Sequence, residues 1–233
     1  MRPIIHCDML RQHCRALVLA KEWDDARMNG HEKKRGRRIE LASATWPHTW
    51  VLIQLGLWNW WAHGGGSSAT RVEEPELVDP WQVASGTVAN HKSYYDDAPM
   101  SVELAEDIND PEHHDPARYA QLHPLPLYWA SEGKNRVFLF RIADVPIRAT
   151  IERLSLPTPD RMAIGTIGIG PFKFWLLDAD GALDVIHQPD RALPIWLSYG
   201  IKRRFKLPVS RFHEVIRRWW SQRSRLYSDV LID

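Results

Sequence analysis

Cysteine is nearly absent: Cys7 and Cys14 are the two in 233 residues. Two cysteines cannot supply a disulfide framework. Nor can His6 with His13, or Cys7 with Cys14, chelate jointly on one straight helix, because each pair stands two turns, ~10 Å, apart. Nothing resembles a secretory leader with its cleavage site. Both absences predict a reducing, cytoplasmic setting. An excess of one charge is also missing. Thirty Lys and Arg oppose 29 Asp and Glu, for a net charge of +1. The chain as a whole is therefore no generic polyanion binder, and any affinity for nucleic acid must be local. Internal repeats are lacking too.

From Leu41 to Thr70 there is no Asp, Glu, Lys or Arg. The apolar centre of this stretch is "WVLIQLGLWNWW", Trp50 to Trp61. A membrane span needs ~20 mostly apolar residues. This centre is shorter, contains Gln54 and Asn59, and meets Pro47 and His48 when extended backward. It predicts a buried or interfacial segment, with peripheral membrane contact through residues 46–61 as one outcome. Six of the 12 tryptophans fall between Trp46 and Trp81. They suit a core or self-association surface, or a base-stacking platform. "GGGSS" behind the stretch reads as a flexible linker.

Before it, Leu10, Cys14, Leu17, Val18 and Trp23 recur at helical spacing, and Asn29-Gly30 predicts the helix end. The basic run "HEKKRGRR" follows. After Val72, prolines divide the chain into short elements. "FKFWLLDADGALDVI" predicts a hairpin turning at Asp-Ala-Asp-Gly. Pro208 and Ser210 open a last helix with an apolar stripe of Phe212, Val215, Ile216, Trp219 and Trp220.

The most explicit unit is "LPLYWASEGKNRVFLFRIADVPIRATI", Leu125 to Ile151. It reads as strand, glycine corner, short helix and strand, arranged as a parallel strand–helix–strand unit. The N-terminus of such a helix offers free amides and the positive end of a dipole, so an anion finds donors there. Gly133 allows close approach, and Lys134 and Arg136 add charge. Glu132 stands just before the corner, where a carboxylate could hold a metal or take a proton. The following strand alternates Ile147, Ala149 and Ile151 with Arg148, Thr150 and Glu152.

The box Gly133, Lys134, Asn135, Arg136, with the "ADVPI" turn after its helix, resembles the ParB/sulfiredoxin superfamily. The resemblance covers Leu77 to Leu154. It implies that Gly133, Lys134, Asn135 and Arg136 bind phosphate of ATP or another nucleotide. Lys134 stands where sulfiredoxins carry their catalytic cysteine, which argues against sulfinic-acid reduction. A hairpin and one basic helix replace the helix-turn-helix module of partition proteins. The nearest branch is the Osa-like plasmid fertility-inhibition proteins. That branch implies ATPase and DNase activity, Mg²⁺, and DNA with a conjugation or type IV secretion coupling protein as partners. Glu132 and Arg136 would then be catalytic. From the residues themselves, Asp96 and Asp97 could converge with Glu132 on a divalent cation as metal ligands, or be a solvated loop.

The C-terminal segment concentrates positive charge in Lys202, Arg203, Arg204, Lys206, Arg211, Arg217, Arg218, Arg223 and Arg225. Its basic helix suits a DNA backbone, an anionic lipid surface or plain solvation. A non-enzymatic DNA-binding regulator and a partner-docking protein are the competing functions. "GTIGIGP" lacks the Lys-Ser/Thr of a phosphate-binding loop and predicts a bend. "DADG" lacks the later glutamate of a calcium loop. "EHHD", Glu112 to Asp115, reads as a polar loop before a metal cluster. The expected fold is α/β (α+β): a small mixed sheet with packed helices, preceded by a loosely attached helical extension. The expected divisions are 1–70, 71–155 and 156–233.

Overall fold

The computed structural model describes residues 7–34, 46–65, 69–71, 74–85, 98–168 and 170–228. Among these are two mixed sheets and seven α-helices. The mixed α/β class is as expected.

Helix α1, Cys7–Lys34, buries Leu10, Cys14, Leu17 and Val18 along one face. It runs on through Asn29-Gly30, since a glycine inside a helix costs only about 1 kcal/mol and breaks no backbone bond. Helix α2, Pro47–Leu55, is buried all round and ends at Gly56, which adopts the left-handed φ of 74°. A helix apolar on every side must lie inside. Helix α3, Trp58–Ala62, follows directly.

The first sheet contains β1 (Thr70–Arg71), β2 (Glu76–Val78), β3 (Val83–Ala84), β4 (Ala117–His123), β5 (Tyr128–Glu132) and β6 (Ile147–Ser155). Its order is β1-β6-β4-β5-β3, with β2 also on β6. Helices α4 (Ala98–Asn109) and α5 (Lys134–Ala143) accompany it. The expected parallel strand–helix–strand unit is corrected here. Strand β4 lies between β5 and β6, antiparallel to the first and parallel to the second. Strands β5 and β6 therefore run in opposite directions. Helix α5 leaves and re-enters the sheet at the same end, where β4 begins.

The second sheet runs β10-β7-β8-β9, from β7 (Met162–Ile167), β8 (Phe174–Ala179), β9 (Ala182–Ile186) and β10 (Arg203–Lys206). Strands β8 and β9 form the predicted hairpin. Asp180 and Gly181 both take positive φ at its tip, as a type I′ turn requires. "GTIGIGP" is not simply a bend: Gly165 belongs to β7, and the chain turns only from Gly168. A Cβ on Gly165 would sit 2.2 Å from the Phe205 ring, so the bare backbone is what lets β10 pack beside β7. Helix α6, Pro189–Tyr199, and helix α7, Phe212–Ser228, complete the chain.

One apolar core joins Leu10 and Leu17 of α1, Leu52 and Ile53 of α2, Leu122, Trp129 and Leu154 of the first sheet, Ile164 and Leu177 of the second, and Trp196 of α6. It draws on all three expected divisions, so the N-terminal helices are core rather than a loose extension. Helices α4 and α5 cover the other face of the first sheet around Tyr119, Val137, Phe140 and Ile151. Helix α7 covers the second sheet around Ile167, Leu176 and Val185.

Candidate functional site

Gly133 opens α5 in the left-handed conformation, φ 76° and ψ 27°, with no side chain capping the helix. Its backbone lies against β4: an added Cβ would stand 3.1 Å from the Ala117 Cβ. The Arg136 amide donates to the Gly133 carbonyl at 3.0 Å. The Arg136 guanidinium, however, donates to the Asp115 carbonyl at 2.7 Å. The exposed Glu132 carboxylate pairs with Arg118 at 3.4 Å. Lys134 and Asn135 form the first turn of α5. Asp96 and Asp97 lie outside the described residues, as does the rest of "NHKSYYDD". Glu132 and Arg136 are thus close in the chain, but each is occupied by a different neighbour.

The neighbouring loop explains this. Asn109 Nδ2 donates to the Pro146 carbonyl at 2.8 Å, and its Oδ1 accepts from the Arg148 amide at 2.8 Å. Arg148 donates to the His114 carbonyl at 2.5 Å. Asp107 bonds His113 at 2.7 Å and His114 at 3.3 Å, and these contacts, His113 first, lower its pKa against a smaller effect of burial. The "EHHD" loop is therefore clasped to α4 and takes up Arg136 and Arg148 through its carbonyls. Among the described residues no group of three His, Cys, Asp or Glu is placed to hold a metal. Of the set expected to hold Mg²⁺, Asp96 and Asp97 lie outside the described residues, and Glu132 is in its ion pair with Arg118. Beneath the corner, Tyr119 is buried with no hydroxyl partner among the described residues, and burial raises its pKa.

A second constellation gathers around α7. Of the seven predicted backbone-binding residues, Lys202, Arg204, Lys206 and Arg217 are exposed and make no side-chain bond to a described residue. The other three are engaged. Arg203 donates to the Asp160 carbonyl at 3.0 Å. Arg211 and Arg218 share Glu214, each at 2.9 Å, and Arg218 also donates to the Leu183 carbonyl at 2.8 Å. The arginine contacts, Arg211 first, hold the Glu214 carboxyl below its usual range.

Two clefts flank this helix. One, about 770 Å³, is lined by Asn59, His63, Phe205, Arg211 and Arg218, with Asp178 and Asp180 at its hairpin end. The other, about 300 Å³, is lined by Trp58, Arg217, Ser221 and Arg225. They meet at Asn59 and Arg218. The Arg225 guanidinium lies 5.4 Å from the Trp58 ring centre, and Trp61 lies 5.3 Å from the same ring. The charge-free stretch and the basic helix, far apart in sequence, therefore build one surface.

Buried Asp184 holds the surface together from below. It accepts from the Asn59 amide at 2.8 Å, from the Val185 amide at 2.9 Å and from the Gln222 side chain. Burial raises its pKa, and these donors oppose the rise. Because the Gln222 amide nitrogen faces a carboxylate, its oxygen faces His187 Nε2 at 3.0 Å, so that nitrogen carries the proton. Burial pushes His187 down to about 4. Its ring stacks on Trp219 at 5.9 Å and 7°.

The predicted stripe of α7 needs one correction. Val215, Gln222 and Leu226 are buried and Trp219 half-buried, but Trp220 is 58% exposed. Residues 215, 219, 222 and 226 follow the helical period, and Trp220 stands one position off it. Of the buried and interfacial outcomes expected for residues 46–61, most of the stretch takes the buried one. Trp50 to Leu57 are buried in the core, leaving Trp46 exposed and Trp58 and Trp61 half-buried. The apolar centre is thus used internally. Among the described residues no helix is long and apolar enough to cross a membrane. Sequence reasoning missed the link from Asn59 to β9, because neither periodicity nor charge marks it.

Searches against family models, curated proteins and solved structures find no match to this chain.

Proposed function

We propose that this protein binds nucleic acid through the phosphate backbone, along β10 and α7. One observation carries the reading: Lys202 just before β10, Arg204 and Lys206 on it, and Arg217 on α7 stand exposed with no side-chain partner among the described residues. Of the other predicted contacts, Arg203 is tied to a carbonyl, and Arg211 and Arg218 are neutralised by Glu214. Four phosphate contacts release condensed counterions, giving a log-affinity against log-salt slope of about −3 to −4. The test is binding of labelled DNA across a salt series. Lys206→Ala and Arg217→Ala each lower the slope magnitude by about 1 at every sequence tried. Binding that ignores salt, or variants that keep the full slope, overturns the reading. This is the non-enzymatic form of the function implied by the ParB/sulfiredoxin resemblance.

A second reading, nucleotide turnover of the fertility-inhibition type, has one supporting observation. Gly133 opens α5 without a side-chain cap, so its first amides are available to an anion. Arg136 would have to exchange the Asp115 carbonyl for a phosphate oxygen. Phosphate release from ATP with magnesium, lost in Arg136→Ala, supports it. Equal release by both proteins removes Arg136 from the site.

A further inference from the structure

We infer that the nucleic acid held on α7 is single-stranded, and that Trp220 is its base-stacking residue. The inference rests on the nucleic-acid reading above and names the form of ligand.

The solvent face of α7 carries His213, Arg217, Trp220 and Ser224, all exposed, at i, i+4, i+7 and i+11. These positions form one row along a helix. An indole has no reason of packing to occupy that row, and Trp220 is 58% exposed. Its neighbour Trp219 is committed inward, stacked on His187 and 6.1 Å from Phe174. Trp220 meets Trp219 edge-to-face, at 5.2 Å and 80°. That contact holds the outer ring in place while most of it stays in water. Ser224 Oγ donates to the Trp220 carbonyl at 2.9 Å, so it stays on the same row.

Arg217, one turn before Trp220, is a cation without a partner among the described residues. An open aromatic face one turn from an exposed cation matches a nucleotide in both its parts. The base stacks, and the adjoining phosphate meets the guanidinium. A duplex cannot use this pair fully. Its base faces are already stacked on one another, and opening a step carries a penalty of its own. A single strand offers both groups at once. Arg225, over Trp58 on the flank of the same helix, continues the cationic path.

The experiment compares fluorescein-labelled oligothymidylate with a blunt duplex of equal length, by anisotropy at one salt concentration. The single strand is expected to bind at least tenfold more tightly. Trp220→Leu is expected to lose about tenfold on the single strand and nothing on the duplex. Trp220→Tyr, which keeps a ring, is expected to restore most of the loss, and its recovery excludes misfolding as the cause. Arg217→Ala weakens both forms. Equal affinity for the two forms, or a Trp220→Leu protein that keeps its strand preference, overturns this inference and leaves the backbone-binding reading standing. Absence of binding to either form defeats the underlying reading and this one with it.

Discussion

The backbone amide of Asn59 donates a 2.8 Å hydrogen bond to the buried carboxylate of Asp184, across 125 positions of sequence. The Asn59 side chain also donates to the Leu183 carbonyl at 3.0 Å. Together these bonds satisfy polar groups at the edge of β9 and dock the charge-free stretch onto the second sheet. The same carboxylate receives Gln222 from α7. Asp184→Ala would leave several buried donors without a partner, at ~1–3 kcal/mol for each such group. We expect a loss of about 3 kcal/mol, read as a melting point lowered by roughly 6–12 °C. An unchanged melting point would show that the network contributes nothing to docking α7.

His187 gives this network a pH dependence. Its folded pKa is depressed to about 4 from an ordinary 6.5. Between those values the unfolded chain binds a proton that the folded chain does not. Stability from this group is therefore present above pH 6.5 and lost as pH falls toward 4, by up to about 1.4 kcal/mol per pH unit. Asp184 acts in the opposite sense: its folded pKa is raised, so acidification relieves its burial. His187→Gln removes only the first contribution. Denaturant midpoints at pH 7 and pH 5 are expected to differ less in that variant than in the parent; an equal difference would assign the dependence elsewhere.

Arg141 fastens the N-terminal helix. It is 8% exposed and donates to the carbonyls of Pro80 at 2.9 Å and Val83 at 2.8 Å, while pairing with Glu22 of α1. With Arg15 it brackets the Trp81 ring, at 5.3 and 4.5 Å from its centre. Burial first, and then Arg15, bring its pKa down to about 10, so it remains charged at neutral pH. Arg141→Leu removes one partner of a largely buried pair, a change of about 3–5 kcal/mol. Limited proteolysis is expected to release α1 from this variant first. Uniform resistance would show that the apolar contacts of α1 suffice.

Gly165→Ala tests the closeness of β7 and β10. The new methyl would meet the Phe205 ring at 2.2 Å, so the ring must move or the strands part. We expect a loss of about 1–3 kcal/mol. Replacing Phe205 by Leu in the same chain is expected to recover part of it. Without that recovery, the spacing of β7 and β10 is held by contacts other than the Phe205 ring.

Much of the local structure was legible in the residues. The buried face of α1 follows from Leu10, Cys14, Leu17 and Val18, and the β8–β9 hairpin from Asp-Gly between apolar runs. Helix α5 begins directly after Gly133. The candidate site was legible only in part. Charge density located the C-terminal cations, but it could not separate Arg217, which has no partner among the described residues, from Arg211 and Arg218, which are spent on Glu214. Nor did the corner at Gly133 reveal that the Asp115 carbonyl takes Arg136.

What the sequence determined by itself are features set within a few residues: helical faces, turn conformations and strand alternation. Each depends on bonds and steric limits that a residue shares with near neighbours in the chain. Only the tertiary structure decided that β4 runs between β5 and β6, that α2 lies in the core, and that Trp58 meets Arg225. Those outcomes depend on pairings between distant segments. Each buried donor or apolar face takes whichever partner the whole chain can bring to it, and no local pattern records that choice.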